Sequence, residues 1–338
     1  MSTITIGCDI SKDSFDAALW TDRGYRLGTF QNNQHGFKKL KAAVTLNNKD
    51  GEALLLVVEP TGGYELALVE FGRKAGWPVT LPNPKQARDW AKGVGYRAKS
   101  DAQDCLMLAQ YGAEQKPNPQ TALPEEVESL QGLLKRREEL QKMRQAESNR
   151  LKQLKRRPRP SQGALDSIKR LLEMLDKELA QLEKAIAAQV KSSQQLSSLH
   201  KRFLTIPGVG QKTVVELIVL LYRWQARTGG DGGFKSLTAY VGLDSQTNQS
   251  GKSYKRATIS KFGSAHYRCC LYMAALGGIS GNNTLRHFYD AMVARDKPKK
   301  VALVAASRKI LVWAWALFTN GQAFDPSKHP IPQPQITP

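Results

Sequence analysis

The stretch "ALLLVVE" at residues 53–59 constrains the fold of this chain more than any other. A continuous apolar run of this length, closed by an acid and Pro60, reads as a central strand covered on both faces. The flanking segments fit a sheet connected by helices. "TITIGC" (residues 3–8) is β-branched and apolar, and "DAALWTDRGYRLGTF" (16–30) reads as two strands turned at Asp22, Arg23 and Gly24. "GFKKLKAAV" and "GYELALVEFGRKAG" have helical spacing, the second ending at Gly76, and "PVTLPN" supplies a short strand. An opening hairpin followed by alternating strands and helices predicts an α/β domain with a mixed sheet over roughly residues 1–115, with its limit set at 120.

Beyond Pro124 the composition shifts to Leu, Glu, Gln, Lys and Arg, with apolar residues three and four apart. Two long helices are predicted between residues 121 and 200, interrupted by the prolines and Gly163 of "KRRPRPSQG". A helical hairpin within one chain and coiled-coil arms from two protomers fit this pattern equally. A compact, mainly helical domain is expected over residues 201–325, followed by a Pro-rich tail at 326–338 that reads as disordered.

Charge narrows the function. Fifty Lys and Arg against 30 Asp and Glu give a net +20 and a pI near 9.8, which points to a polyanionic partner, foremost nucleic acid. Cys8, Cys105, Cys269 and Cys270 show no C-x-x-C spacing and read as free or buried thiols in a reducing compartment. "MSTITIGCDISKD" has neither a charged nor an apolar leader region, so secretion is not expected and the localisation read is cytoplasmic. "KILVWAWALF" (Lys309–Phe318) falls short of the roughly 20 apolar residues that span a bilayer and reads as a buried helix.

Four carboxylates could hold metal. Asp9 follows the first strand and Glu59 the buried one, so the two meet if those strands are neighbours. Asp101 and Asp104 are three apart on a predicted helix and share a face. Four acids at one sheet edge suit two Mg2+ ions about 4 Å apart, the arrangement that clamps attacking and leaving oxygens in phosphodiester chemistry. The order strand, acid, hairpin, strand, acid, helix, acid pair is that of an RNase H-like nuclease fold.

Two further segments bear on nucleic acid. In "FLTIPGVGQKTVVELIVLL" (203–221), Gly208 and Gly210 precede a helix whose free amides can meet a phosphate, and Lys212 adds charge, as in a helix-hairpin-helix element. In "AYVGLDSQTNQSGKSYKRATISKFG" (239–263), a polar loop carries Ser245, Ser250, Ser253 and Ser260 among Lys252, Lys255, Arg256 and Lys261. A serine there could act as a nucleophile on a phosphodiester, and the residue pattern does not choose among the four.

The segments "GCDISKD", "VVEPTGGYE", "KSDAQDC", "LTIPGVGQKTV" and "AYVGLDSQTNQSGKSYKRATISKFGSAHYRCCLYMAA", spread from Cys8 to about Phe318, together resemble the DEDD transposases of the insertion-sequence 110/1111 group, relatives of the Piv invertase. The resemblance implies an N-terminal RuvC-like domain, a coiled coil and a C-terminal transposase domain. It implies an acidic tetrad of Asp9, Glu59, Asp101 and Asp104 that binds Mg2+, and a nucleophilic Ser250 before Gly251. Members often carry proline after the Gly-Leu pair; this chain has Asp244 and Ser245, which makes Ser245 the rival serine. The helical arms point to an oligomer, expected as a dimer in solution, and the resemblance further implies a tetramer on paired DNA, a composite site of acids and serine loop, and a noncoding bridge RNA pairing with donor and target DNA. RNA guidance would supply the specificity that no zinc finger or clear sequence-reading helix-turn-helix provides. A Holliday-junction nuclease using water, a Piv-type invertase, and a non-enzymatic nucleic-acid-binding assembly protein are the alternatives.

Overall fold

The computed structural model describes residues 3–48, 51–96, 101–250 and 253–328; for residues 101–102, 247–250 and 253–257 it describes the backbone alone. The chain forms two compact units, residues 1–122 with 226–231 and residues 123–225 with 232–338.

The first unit is built on a five-stranded sheet of β1 (Thr3–Ile10), β2 (Ser14–Trp20), β3 (Gly24–Gln31), β4 (Ala53–Val58) and β5 (Val79–Thr80), in the order β3-β2-β1-β4-β5. The opening meander is antiparallel, and β4 joins β1 in parallel, with Cys8 opposite Val58. Strand alternation assigns the two faces. Ile4, Ile6, Cys8 and Ile10 of β1 share one core with Phe15, Ala17 and Leu19 of β2 and with Leu56 and Val58 of β4. That face is covered by Phe37, Leu40 and Val44 of α1 (Gln34–Asn47) and Leu68 and Val69 of α2 (Leu66–Lys74).

The opposite face carries Thr5, Gly7 and Asp9 of β1, and Leu55 and Val57 of β4. It packs against α4 (Asp101–Gln115), with Ala91 of α3 (Pro84–Gly93) completing a small core beside Met107 and Leu108. The approach of α4 is close enough to require glycine. A Cβ on Gly7 would stand 2.2 Å from the Cys105 carbonyl oxygen and 2.3 Å from the Ala109 amide nitrogen. A Cβ on Gly112 would stand 2.4 Å from the Thr5 side chain. Moving from Thr5 to Gly7 therefore moves from Gly112 back to Cys105, so α4 runs antiparallel to β1. Its first turn reaches the end of the sheet where Asp9 lies.

In the second unit, α5 (Glu125–Lys155) and α6 (Gln162–Ser192) are each 31 residues, about 46 Å at 1.5 Å per residue. They pair antiparallel within one chain, as Gln189 to the Glu126 carbonyl and Arg144 to Asp176 show. Of the two arrangements the sequence allowed, the chain adopts the hairpin. Val127, Leu130, Leu134, Ile186 and Val190 anchor its open end in the main core. At its closed end Lys152, Lys155, Arg156, Arg157 and Arg159 are all exposed.

The remaining helices are α7 (Gln194–Phe203), α8 (Gln211–Thr228), α9 (Phe234–Val241), α10 (Ala265–Gly278), α11 (Thr284–Val293) and α12 (Lys299–Asn320). Helix α12 is long and apolar enough to cross a membrane by length and composition, but Ala302, Ala306, Ile310, Leu311 and Ala314 are fully buried in the core of this unit. Between α9 and α10 the expected polar loop is instead a two-stranded hairpin, β6 (Ser245–Ser250) paired with β7 (Ser253–Ile259). Its first strand, "SQTNQS", has no apolar face to announce a strand, and Ile259 at its base is what packs against the core. Of the tail, Pro326–Lys328 forms a 3₁₀ turn, and residues 329–338 lie outside the described residues.

Candidate functional site

Three acids end up on the α4 face at one edge of the first sheet. Asp9 follows Thr5 and Gly7 on that face by the two-residue period. Glu59 follows Leu55 and Val57, and its amide donates to the Cys8 carbonyl at 3.4 Å, so the parallel register of β1 and β4 continues to it. Its carboxylate is half-buried, with Arg88 of α3 at 3.6 Å. Asp104 lies in the first turn of α4, next to Cys105, whose carbonyl covers Gly7. The Asp101 backbone begins the same helix, and its side chain lies outside the described residues.

A further acid on this edge, beyond Asp9, Glu59 and Asp104, is one that sequence reasoning missed. Asp16 stands directly opposite Asp9 in the β1–β2 register, on the same face. Like charges placed so repel, and Arg26 offsets this by donating to Asp16, which also accepts from Thr29 Oγ1 at 2.9 Å. The crowding is felt by two thiols. Burial first, then Cys105 and Asp9, push Cys8 well above the usual thiol range. Burial, then Asp16, push Cys105 up to about 11. Both stay protonated and inert.

The rim of this edge is held by short polar straps. Asn32 Nδ2 donates to the carbonyls of Ser11 and Tyr64, each at 3.1 Å. Glu65 accepts from the Thr61 amide at 3.2 Å, the Thr61 hydroxyl at 2.9 Å and the Gly63 amide at 2.8 Å, closing the "PTGGYE" turn beside Glu59. Burial works to raise this carboxyl, but the hydrogen bonds outweigh it and hold Glu65 below its ordinary value. Among the described residues, Asp9, Glu59 and Asp104 are not drawn together closely enough for three ligand atoms to lie within 4.8 Å of one another.

In the second unit the base of the serine hairpin is tightly fixed. Gly242 caps α9 at φ 76°, and a Cβ there would stand 2.8 Å from the amides of Phe262 and Gly263. Arg268 donates to the carbonyls of Val241 and Gly263, and Lys261, at φ 57°, bonds its amide to Gly242. Ser260 donates its hydroxyl to Asp244, latching the base of the hairpin. Ser245 is exposed at the base. Ser250 pairs with Ser253 at the far end; Gly251 and Lys252 lie outside the described residues, as do the side chains of Ser250, Ser253, Lys255 and Arg256.

The glycines before α8 divide in role. Gly208 has φ 86°, and a Cβ on it would stand 2.3 Å from the Ala274 carbonyl oxygen, so its missing side chain is used in packing against α10. Gly210 faces open space just before α8, whose first-turn amides have no acceptor within the helix itself. Lys212 is exposed, with Glu183 at 3.6 Å.

Deeper in this unit lies a polar network that the sequence did not announce. Arg137 of α5 is 4% exposed and donates to Glu216 of α8 at 2.6 Å, with Glu183 at 3.5 Å. His266 Nε2 meets Glu216 at 3.0 Å and the Cys270 sulfur at 3.7 Å. Hydrogen bonds with Cys270 and Glu216, opposed by burial, raise His266 to about 10. Among the described residues these three supply the group of ligand atoms lying within 4.8 Å of one another.

Comparison with known proteins covers both units. A family model described as transposase matches residues 6–156, and one described as transposase of the IS116/IS110/IS902 family matches residues 200–290. The pilin gene-inverting proteins of Moraxella lacunata and Moraxella bovis are each 30% identical to the chain over 335 residues, 97% of this chain and 100% of theirs. An insertion element IS110 uncharacterized 43.6 kDa protein of Streptomyces coelicolor is 25% identical over 170 residues, 49% of this chain and 40% of its own.

Proposed function

The chain belongs to the IS110 family of transposases, and from that premise we propose that it is a cytoplasmic DNA recombinase that cuts and rejoins DNA through a phosphoserine link on Ser250, guided by a bridge RNA. In this reading residues 1–120 are an RNase H-like, RuvC-like nuclease domain, 121–200 a helical arm and 201–325 the transposase domain. The observation that carries the reading is the meeting of Asp9, Glu59 and the first turn of α4 on one face at one sheet edge. An all-carboxylate donor set there fits a hard, oxygen-preferring cation. Asp9, Glu59, Asp101 and Asp104 would hold Mg2+, which supplies Lewis-acid polarisation of the scissile phosphate.

The Ser250 hydroxyl would attack phosphorus, forming the serine ester as the bond to the leaving sugar oxygen breaks; that oxygen takes up a proton. Rejoining is the reverse attack by a sugar hydroxyl, which frees the serine. Lys252, Lys255, Arg256 and Lys261 would offset the developing charge. Ser260 is less suited, since its hydroxyl is engaged with Asp244. The Moraxella relatives are named for inverting a gene segment; inversion and transposition by this chain would differ in how its DNA sites are arranged. A dimer in solution and a tetramer on paired DNA complete the proposal.

The test is a protein–DNA adduct that survives denaturant, formed with the element's own ends and RNA in Mg2+. The native chain is expected to form it and Ser250→Ala to form none. Cleavage by the native chain without any adduct would sink the serine and leave a nuclease that uses water.

The exposed cations at the closed end of the α5–α6 hairpin are assigned to the phosphate backbone. Replacing Lys155, Arg156 and Arg157 together by Gln is expected to make the slope of log K against log salt shallower by about 2 to 3, near 0.9 per lost phosphate contact on duplex DNA. Equilibrium binding across a salt series checks this, and an unchanged slope would return those residues to a solvated surface.

A further inference from the structure

We propose that Glu216, His266 and Cys270 form a zinc site, separate in place and chemistry from the carboxylate edge and independent of the recombinase reading. His266 and Cys270 are four apart on α10 and so share one helix face, which α8 meets with the buried Glu216. Nε2 of His266 lies 3.0 Å from Oε2 of Glu216 and 3.7 Å from Sγ of Cys270. Tetrahedral zinc, with bonds of about 2.0–2.1 Å to nitrogen and oxygen and 2.3 Å to sulfur, separates such ligands by about 3.3 Å and 3.6 Å. The donor atoms thus already stand near two edges of that tetrahedron.

The surroundings orient those donors. Arg137 occupies the far oxygen of Glu216 at 2.6 Å, leaving Oε2 toward the cluster. Glu138 Oε1 lies 3.8 Å from Nδ1 of His266, beyond hydrogen-bond reach, and meets Lys142 Nζ at 2.7 Å. A cavity of about 140 Å³, lined in part by Glu138, Glu216 and His266, adjoins the cluster and has room for water as fourth ligand.

Thiolate, imidazole and carboxylate together select zinc and disfavour Mg2+, which takes oxygen ligands in octahedral geometry. Thiolate and carboxylate supply two negative charges against the divalent ion, and the protons of the thiol and imidazolium leave to solvent. Bound there, zinc would staple α8 to the first turns of α10, the helix that follows the serine hairpin.

The full chain, purified without chelator, is expected to keep about one zinc per chain through gel filtration. After chelator treatment, Co2+ should give a near-ultraviolet sulfur-to-cobalt band with tetrahedral visible bands. Cys270→Ser should lose the sulfur band and Cys269→Ser should keep it. In the native chain, zinc should protect Cys270 but not Cys269 from alkylation, a readout that needs no variant to fold. Substoichiometric zinc with no sulfur band, a band surviving in Cys270→Ser, or equal alkylation of both cysteines with and without zinc would each overturn the site and leave an ion-pair network.

Discussion

Asp9→Asn is expected to lower strand cleavage by about 1,000-fold while the chain stays folded. Metal-assisted phosphoryl chemistry draws several kcal/mol from charge stabilisation, and about 4 kcal/mol corresponds to three decades in rate. The substitution keeps the shape of the side chain at the end of β1 and removes only its charge. Folding should tolerate this, because Asp9 faces Asp16 across the β1–β2 pair and the change relieves that repulsion.

Asp16→Asn is the control. Asp16 is tied to Arg26 and Thr29, so its loss should lower the melting temperature and leave cleavage within about tenfold of the native rate. Cleavage rates at saturating Mg2+ and thermal melts with and without Mg2+ decide the matter. The native melt should rise with Mg2+ and that of Asp9→Asn should not, since an ion that binds only the folded chain stabilises it by mass action. Asp9→Asn cleaving within tenfold of the native chain would remove the acidic edge from the mechanism. A water-using nuclease would suffer the same loss, so the Ser250 adduct and the Asp9 rate answer different questions.

Much of the first unit was legible because strand-end acids and apolar runs act locally. "ALLLVV" can only be covered on both faces, and the acid after it then has to leave at the sheet edge. Asp16 was missed because its role depends on register. The signal was present: once the turn at Ser11–Asp13 is placed, Ile10 opposes Phe15 and Asp9 must oppose Asp16. Gly208 has a packing role that the sequence did not show: the space where its Cβ would stand is taken by the backbone of α10, a contact between segments more than 60 residues apart. The serine hairpin was read as a loop because a strand of Ser, Gln, Thr and Asn has no apolar alternation to mark it. Glu216 and Arg137 were hidden by their neighbours, one inside "VVELIVLL" and the other inside "LLKRREEL", where a charge run reads as solvated. Only the spacing Leu130, Leu134, Arg137, Leu140 places that arginine on the buried stripe of α5.

Arg137→Met is expected to destabilise the second unit by about 3 kcal/mol. Removing one partner of a buried pair leaves the other charge uncompensated, at about 3–5 kcal/mol. The lower end applies because His266, 3.0 Å from Glu216, remains as a counter-ion. The partners differ in weight. Arg137 meets Glu216, 6% exposed at the side chain, at 2.6 Å, but meets the 36% exposed Glu183 only at 3.5 Å. Glu183→Gln should therefore cost less than 1 kcal/mol, as screened pairs do. If the buried charge itself is the cost, Arg137→Met with Glu216→Leu should recover most of the loss, because an apolar replacement of the pair leaves no deeply buried charge, and His266, 29% exposed at its side chain, can shed its proton to solvent. Chemical denaturation of the single and double variants measures the coupling directly. Additive losses would mean that Arg137 acts through its packing between α5 and α8, and the pairing account would fall. Recovery would mean that a desolvated ion pair supplements the apolar anchor of the long hairpin, on the same Glu216 that faces His266 and Cys270.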